Sequence, residues 1–161
     1  MSPAVRLATA SPAILSPQIM SWLVDTDLLS QRTRKRPDPQ ALRWLEENAS
    51  EIYTSSHVIG EIQVGIEMLP PGARKRALQA WLNRLIEAME GRILNFNTSV
   101  ATVWGRQEAE FTEKGCLMPM PDSFIAATAR RHNLIIATLN VADYTRPGLK
   151  AFDPLAVAGR H

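Results

Sequence analysis

Apolar positions along this chain come in two spacings, and the spacings alternate. Short unbroken runs, Trp22-Leu23-Val24 and Leu134-Ile135-Ile136-Ala137, read as strands buried on both faces, as in a parallel sheet covered by helices. Between them, apolar residues recur every three or four positions. Ile59, Ile62, Ile66 and Leu69 form one stripe. Leu78, Trp81, Leu82, Leu85, Ile86 and Met89 form the clearest one, with Arg74, Lys75, Asn83, Arg84, Glu87 and Glu90 mostly off it.

The punctuation gives the boundaries. A first strand is expected over Ser21 to Asp25, with a short helix after Asp27. Pro37-Asp38-Pro39 breaks the chain and opens a helix through Leu42 and Leu45. Glu51 to Thr54 reads as the second strand, and Ser55 or Ser56 as the cap of the helix that Pro70-Pro71-Gly72 ends. Gly91 suits the C-cap of the next helix, and Arg92 to Phe96 the third strand. Thr98 or Ser99 would cap a helix bearing Val100, Val103, Trp104 and Phe111 that ends near Gly115. After the stiff loop Met118-Pro119-Met120-Pro121 come an alanine-rich helix from Asp122 to His132, a strand from Leu134 to Thr138, and a last short strand near Ala151-Phe152. Strand and helix alternating in this way imply an α/β three-layer sandwich, a central parallel β-sheet flanked by helices.

The length of 161 residues suits one domain with a full core. Residues 1–19 are poor in charge and interrupted by Pro3, Pro12 and Pro17, so a disordered lead-in is expected, with Met20 as an alternative start. The domain is then expected over residues 20–154, with 155–161 as a tail. No apolar run approaches the roughly 18 residues of a membrane span. Cys116 is the one cysteine, which excludes a disulfide framework and a thiolate zinc site and fits a reducing, cytoplasmic setting.

Four acids change the picture. Asp25 closes the first strand, and a carboxylate there lies at the carboxyl edge of the sheet, where open α/β folds bind ligands. Glu61 lies in the first turns of the helix after strand two, Asp122 opens the helix after Pro121, and Asp143 follows the strand ending at Thr138. Each has an ordinary explanation: Asp25 with Asp27 as a helix cap, Asp122 as an acid favoured by the helix dipole, Asp143 as a turn residue, and Glu61 as a lone exposed acid, although its place near the apolar stripe asks for a partner. In a parallel sheet all four can fall on one edge. Gathered there without a cation they would raise one another's pKa values. Hard divalent ions, Mg²⁺ or Mn²⁺, remove that cost and keep open positions for phosphate oxygens. Net charge is +2, and 14 of the 18 basic residues are arginine, the better bidentate partner for phosphate. The run Arg32-Thr33-Arg34-Lys35-Arg36 is either a grip on a polyanion or a solvated loop. His57 and His132 form no HExxH pattern, and no GxSxG elbow, P-loop or GxGxxG is present. Trp44, Trp81 and Trp104 lie on helical stripes and read as core or interface.

Four segments together carry a resemblance. They are Leu23-Val24-Asp25-Thr26-Asp27-Leu28-Leu29-Ser30, Gly60-Glu61-Ile62-Gln63-Val64-Gly65-Ile66, Pro121-Asp122-Ser123-Phe124-Ile125-Ala126-Ala127-Thr128-Ala129 and Ala137-Thr138-Leu139-Asn140-Val141-Ala142-Asp143-Tyr144. In this order and spacing the chain, from about Met20 to Pro154, resembles the PIN-domain ribonucleases, in particular the VapC-type toxins of bacterial toxin–antitoxin pairs. The resemblance implies Asp25 and Asp122 as principal metal ligands, Glu61 binding metal directly or through water, and Asp143 as the fourth acid with Asn140 and Thr138 around it. Asp27 stands where the family more often has Asn, a fifth carboxylate. Also implied are Mg²⁺- or Mn²⁺-dependent hydrolysis of RNA that leaves a 5′-phosphate and a 3′-hydroxyl, a homodimer, and a small antitoxin partner that masks the acidic groove. Two other readings compete. Asp25-Thr26-Asp27 also resembles the nucleophile motif of haloacid-dehalogenase-like phosphatases, although Leu29 replaces the Thr or Val expected there and only four lysines are present. A non-catalytic PIN-like module that binds RNA or a partner would need none of the acids.

Overall fold

Five short parallel strands form the centre of the molecule, in the order β3-β2-β1-β4-β5. They are β1 (Trp22–Val24), β2 (Ile52–Ser55), β3 (Ile93–Leu94), β4 (Ile135–Ala137) and β5 (Ala151–Phe152). The helices are α1 (Thr26–Leu29), α2 (Pro39–Glu47), α3 (Ser56–Glu67), α4 (Ala73–Ala88), α5 (Thr98–Glu113) and α6 (Met120–Arg131). This is a computed structural model, and it describes residues 20–156. The expected lead-in over 1–19 and most of the tail over 155–161 lie outside the described residues.

The parallel pairing follows from burial. Trp22, Leu23 and Val24 are all buried, so β1 has no solvent face, and helices cover both sides. Its register pairs Leu23 with Tyr53 on one side and with Ile136 on the other. The core joins this central strand to Leu28, Val58, Leu82, Phe111 and Ile125 from five different helices. Trp44 closes one end of the core, edge-on to Trp22 with ring centroids 5.5 Å apart. Among the described residues no helix is long and apolar enough to cross a membrane.

Several boundaries differ from the sequence-based expectation, each for a local reason. Asn97, not Thr98 or Ser99, caps α5, because its side-chain oxygen reaches the Val100 N–H at 3.1 Å and leaves Thr98 as the first helical residue. The α6 helix starts at Met120, two residues before Asp122. Pro121 falls in the first turn, where a missing N–H costs nothing. The third strand shrinks to Ile93–Leu94, since β3 is an edge paired only with β2. Gly91 lies two residues past the α4 C-cap, Met89, and takes φ +81° in the turn that leads to β3. Asp38 caps α2, and Ser55, one of the two serines expected there, caps α3.

Candidate active site

The order in which the chain lays down its strands reverses between β1 and β4, with β2 and β3 on one side and β5 on the other. The crevice of an open α/β sheet opens beyond the carboxyl ends of its strands at such a switch point. Asp25 follows β1 and Thr138 follows β4, so these two residues meet there.

Asp25 is a helix cap and more. Its Oδ1 accepts from the Leu28 N–H at 3.1 Å, which caps α1, and its Oδ2 accepts from the Thr138 hydroxyl at 2.5 Å. The residue is only 5% exposed. Burial pushes its pKa up to about 6; the bonds from Thr138 and Leu28 oppose this, and the nearby charges of Asp27 and Asp122 add to it. Thr138 therefore serves Asp25, not Asp143 as the sequence suggests.

Asp122 sits in the first turn of α6, half-buried. Burial raises its pKa, as do the charges of Asp143 and Glu61, while the Tyr144 hydroxyl, which donates at 3.4 Å, and His57 lower it. Its position is fixed from behind: the Ser123 hydroxyl donates to the Met120 carbonyl at 2.6 Å and accepts from the Trp104 indole at 2.9 Å. The Gln107 amide donates to the Ser123 carbonyl at 3.0 Å. Thus α5 aligns the N-terminus of α6.

Glu61 lies on α3, and its Oε2 accepts from the Thr26 hydroxyl, a contact from the residue next to Asp25. His57, one helical turn earlier, brings Nε2 to 3.4 Å from Glu61 Oε1 without hydrogen-bond alignment. Asp143 lies exposed in the single 3₁₀ turn Val141–Tyr144, where its charge acts on Asp122. Asp122 is therefore within electrostatic reach of Asp25, Glu61 and Asp143. These four acids do not close around an ion on their own: among the described residues no three His, Cys, Asp or Glu side chains are gathered tightly enough to hold one. Oxygen donors with room for water match Mg²⁺, which needs near-octahedral geometry and commonly takes only one or two carboxylates.

Asp27 stands apart. Its carboxylate pairs with the Arg34 guanidinium and accepts from the Asn140 side-chain amide at 3.1 Å. Arg34, from the basic stretch, thus lies at the rim of the crevice. Because Asp27 is occupied by these partners and the Arg34 pair is half-exposed, Asp27→Asn is expected to reduce activity by less than about tenfold. Initial rates beside those of an Asp25→Asn protein check this, and a loss as deep as that protein's would make Asp27 a ligand.

Tyr144 and Thr26 were missed in the sequence. Tyr144 is buried, and burial together with the charges of Asp25, Asp122 and Glu61 pushes its pKa far up, so it remains a donor. Thr26 could have been inferred from its place beside Asp25; Tyr144 gave no signal, since its role depends on where the turn folds back.

The model of the PIN domain family matches residues 22–142. Toxin FitB of Neisseria gonorrhoeae is 28% identical over 134 residues, covering 82% of this chain and 96% of FitB. VapC ribonuclease Y4jK of Sinorhizobium fredii is 27% identical, with the same 82% and 96% coverage. The solved structure of FitAB bound to an IR36 DNA fragment superposes with a TM-score of 0.79 at 25% identity, covering 87% of this chain and 99% of that one.

Proposed function

The chain belongs to the PIN domain family, and on that premise we propose that it is a divalent-metal-dependent endoribonuclease, the toxin of a toxin–antitoxin pair. The observation that carries the reading is Asp25, a carboxylate held almost out of water with other acids facing it, at the carboxyl edge of the sheet. A cation there would offset the cost of keeping that charge buried beside other acids. The toxin and ribonuclease names of FitB and Y4jK support the activity, and the FitAB complex supports a protein partner.

Asp25 and Asp122 would hold Mg²⁺ or Mn²⁺ directly, with Glu61 and Asp143 reaching it directly or through water. A bound ion supplies charge stabilisation for the phosphoryl group and a more acidic water. The protein's own parts orient it. Thr138 and the Leu28 N–H hold both oxygens of Asp25, Thr26 holds Glu61, and Tyr144 donates to Asp122. Arg34, beside the crevice, can exchange Asp27 for a substrate phosphate without crossing the site. No side-chain nucleophile is required. The phosphatase reading would need a free second acid in the motif, and Asp27 is tied to Arg34 and Asn140.

A cleft of about 330 Å³ between α1, α2 and α4 suits an antitoxin helix. Leu29, Leu45, Trp81 and Leu85 floor it, and Arg32 and Arg84 stand on its rim. This pattern favours an amphipathic segment with acidic flanks.

Purified full-length protein incubated with total RNA, with Mg²⁺, with Mn²⁺ or with excess EDTA, is the direct test. Cleavage confined to the metal samples, with ends mapping to 5′-phosphate and 3′-hydroxyl, is the expected result. Intact RNA in every sample would favour a binding module instead.

A further inference from the structure

Beside the acids lies a second concavity that the reaction chemistry does not use. It measures about 460 Å³, within the range of roughly 300–1,000 Å³ typical of small-molecule sites. Its lining is aromatic and apolar: His57, Phe96 and Phe124, with Val64 and Gly60 on α3. Glu61 is also part of its wall, so the pocket and the acidic crevice share one residue.

The aromatic rings form a supported set. The Phe124 ring lies 4.9 Å from that of Phe96 and 5.1 Å from that of His57, both edge-on. Behind it, the Trp104 ring lies 5.4 Å away and is itself anchored by its indole N–H on Ser123. The Phe96 N–H donates to the Ser56 hydroxyl at 3.3 Å, which holds the loop between β3 and α5 against α3. Yet Phe96 is 37% exposed and Val64 is 59% exposed. Rigid aromatic faces left open to water beside a phosphodiester-cleaving site are what an unpaired base would stack on.

We propose that the pocket formed by His57, Phe96 and Phe124 next to Glu61 receives one unpaired nucleobase of the RNA substrate, flanking the phosphate that is cut. The inference rests on the ribonuclease reading and adds to it a base-stacking contact made by His57, Phe96 and Phe124. A flat, neutral ring can occupy a pocket with a carboxylate in its wall. The pocket also has an open wall. A Cβ placed at Gly60 meets no atom within 4 Å, so a larger side chain there would project into free space without disturbing the helix.

Short single-stranded oligoribonucleotides carrying 2-aminopurine at successive positions, titrated with the full chain in EDTA, test the proposal without cleavage. The expected result is fluorescence quenching at one position, lost in Phe96→Ala and in Gly60→Leu and retained in Phe96→Tyr. An abasic residue at that position should weaken binding to the wild-type protein about tenfold. It should weaken binding to Phe96→Ala no further. Because stacking releases few counterions, the Phe96→Ala loss should be the same at low and high salt. Equal binding of abasic and intact oligonucleotides, or no position-specific quenching, overturns the proposal. So does a Phe96→Ala protein that binds RNA normally but sediments as a monomer where the wild type is a dimer, because the face would then belong to a second copy. If the wild type cleaves RNA with Mg²⁺ and yet fails these tests, the pocket assignment falls and the ribonuclease reading stands. If it quenches the probe without cleaving any RNA, the ribonuclease reading falls, and with it the claim that the bound base flanks a cut phosphate.

Discussion

Asp25→Asn and Asp122→Asn are each expected to lower RNA cleavage at least about 100-fold, since a metal site supplies several kcal/mol of transition-state charge stabilisation. Asparagine has nearly the same volume, so the loss should come from charge and not from collapse. In Asp25→Asn the side-chain oxygen can still accept from the Leu28 N–H, and the amide can donate to the Thr138 hydroxyl where the carboxylate accepted. In Asp122→Asn the first turn of α6 forfeits only a favourable charge–dipole interaction, worth about 0.3–1 kcal/mol. Both proteins should therefore keep the wild-type far-ultraviolet circular dichroism while initial rates on total RNA at saturating Mg²⁺ fall. A folded Asp25→Asn protein that cleaves within tenfold of wild type would remove Asp25 from the chemistry.

Much of this site is visible in the chain, and the part that is not has a clear physical cause. Asp25 stands out because an apolar run ends on it; that run is β1, and its hydrophobicity reflects burial on both faces. Asp122 stands out because Pro121 marks a helix start, although the helix begins two residues earlier than the proline suggested. The order of strands and helices follows from the two apolar periods, and the parallel sheet with them. What a linear pattern does not encode is which side chain meets which across the sheet. Thr138 and Asp25 are 113 residues apart and become partners only because β1 and β4 are neighbours. The place of Asp27, the fifth carboxylate, is hidden for the same reason: its neutralising contacts come from Arg34 in the following loop and from Asn140 far along the chain. The aromatic pocket was hidden likewise, since His57, Phe96 and Phe124 belong to three separate segments.

Removing the same buried charge should make the metal-free protein more stable even as it destroys activity. The Asp25 carboxyl rises from an ordinary value near 4 to about 6 in the folded protein. Above that pH the native state carries a buried anion that the unfolded chain would carry in water, and the difference counts against folding. At about 1.4 kcal/mol for each tenfold change in proton affinity, the cost is of order 2–3 kcal/mol. The sign follows from proton linkage: between about pH 4 and pH 6 the native state binds the proton and the unfolded state does not. Stability therefore falls as pH rises through that window, and below it Asp25 contributes nothing. In EDTA at pH 7.5, Asp25→Asn is thus expected to melt about 5–10 °C above wild type, using roughly 2–4 °C per kcal/mol for a chain of this size. The advantage should fade by about pH 4, where the wild-type carboxyl is protonated in both states. Mg²⁺ should reverse the ranking at neutral pH, because a cation bound only by the native wild type stabilises it by mass action and finds no charge at position 25 in the variant. Thermal melts of both proteins across pH, each with and without Mg²⁺, check every part of this. A variant that melts below wild type in EDTA at neutral pH would mean that the Asp25 charge is already compensated by the protein itself and that the site does not call for a cation.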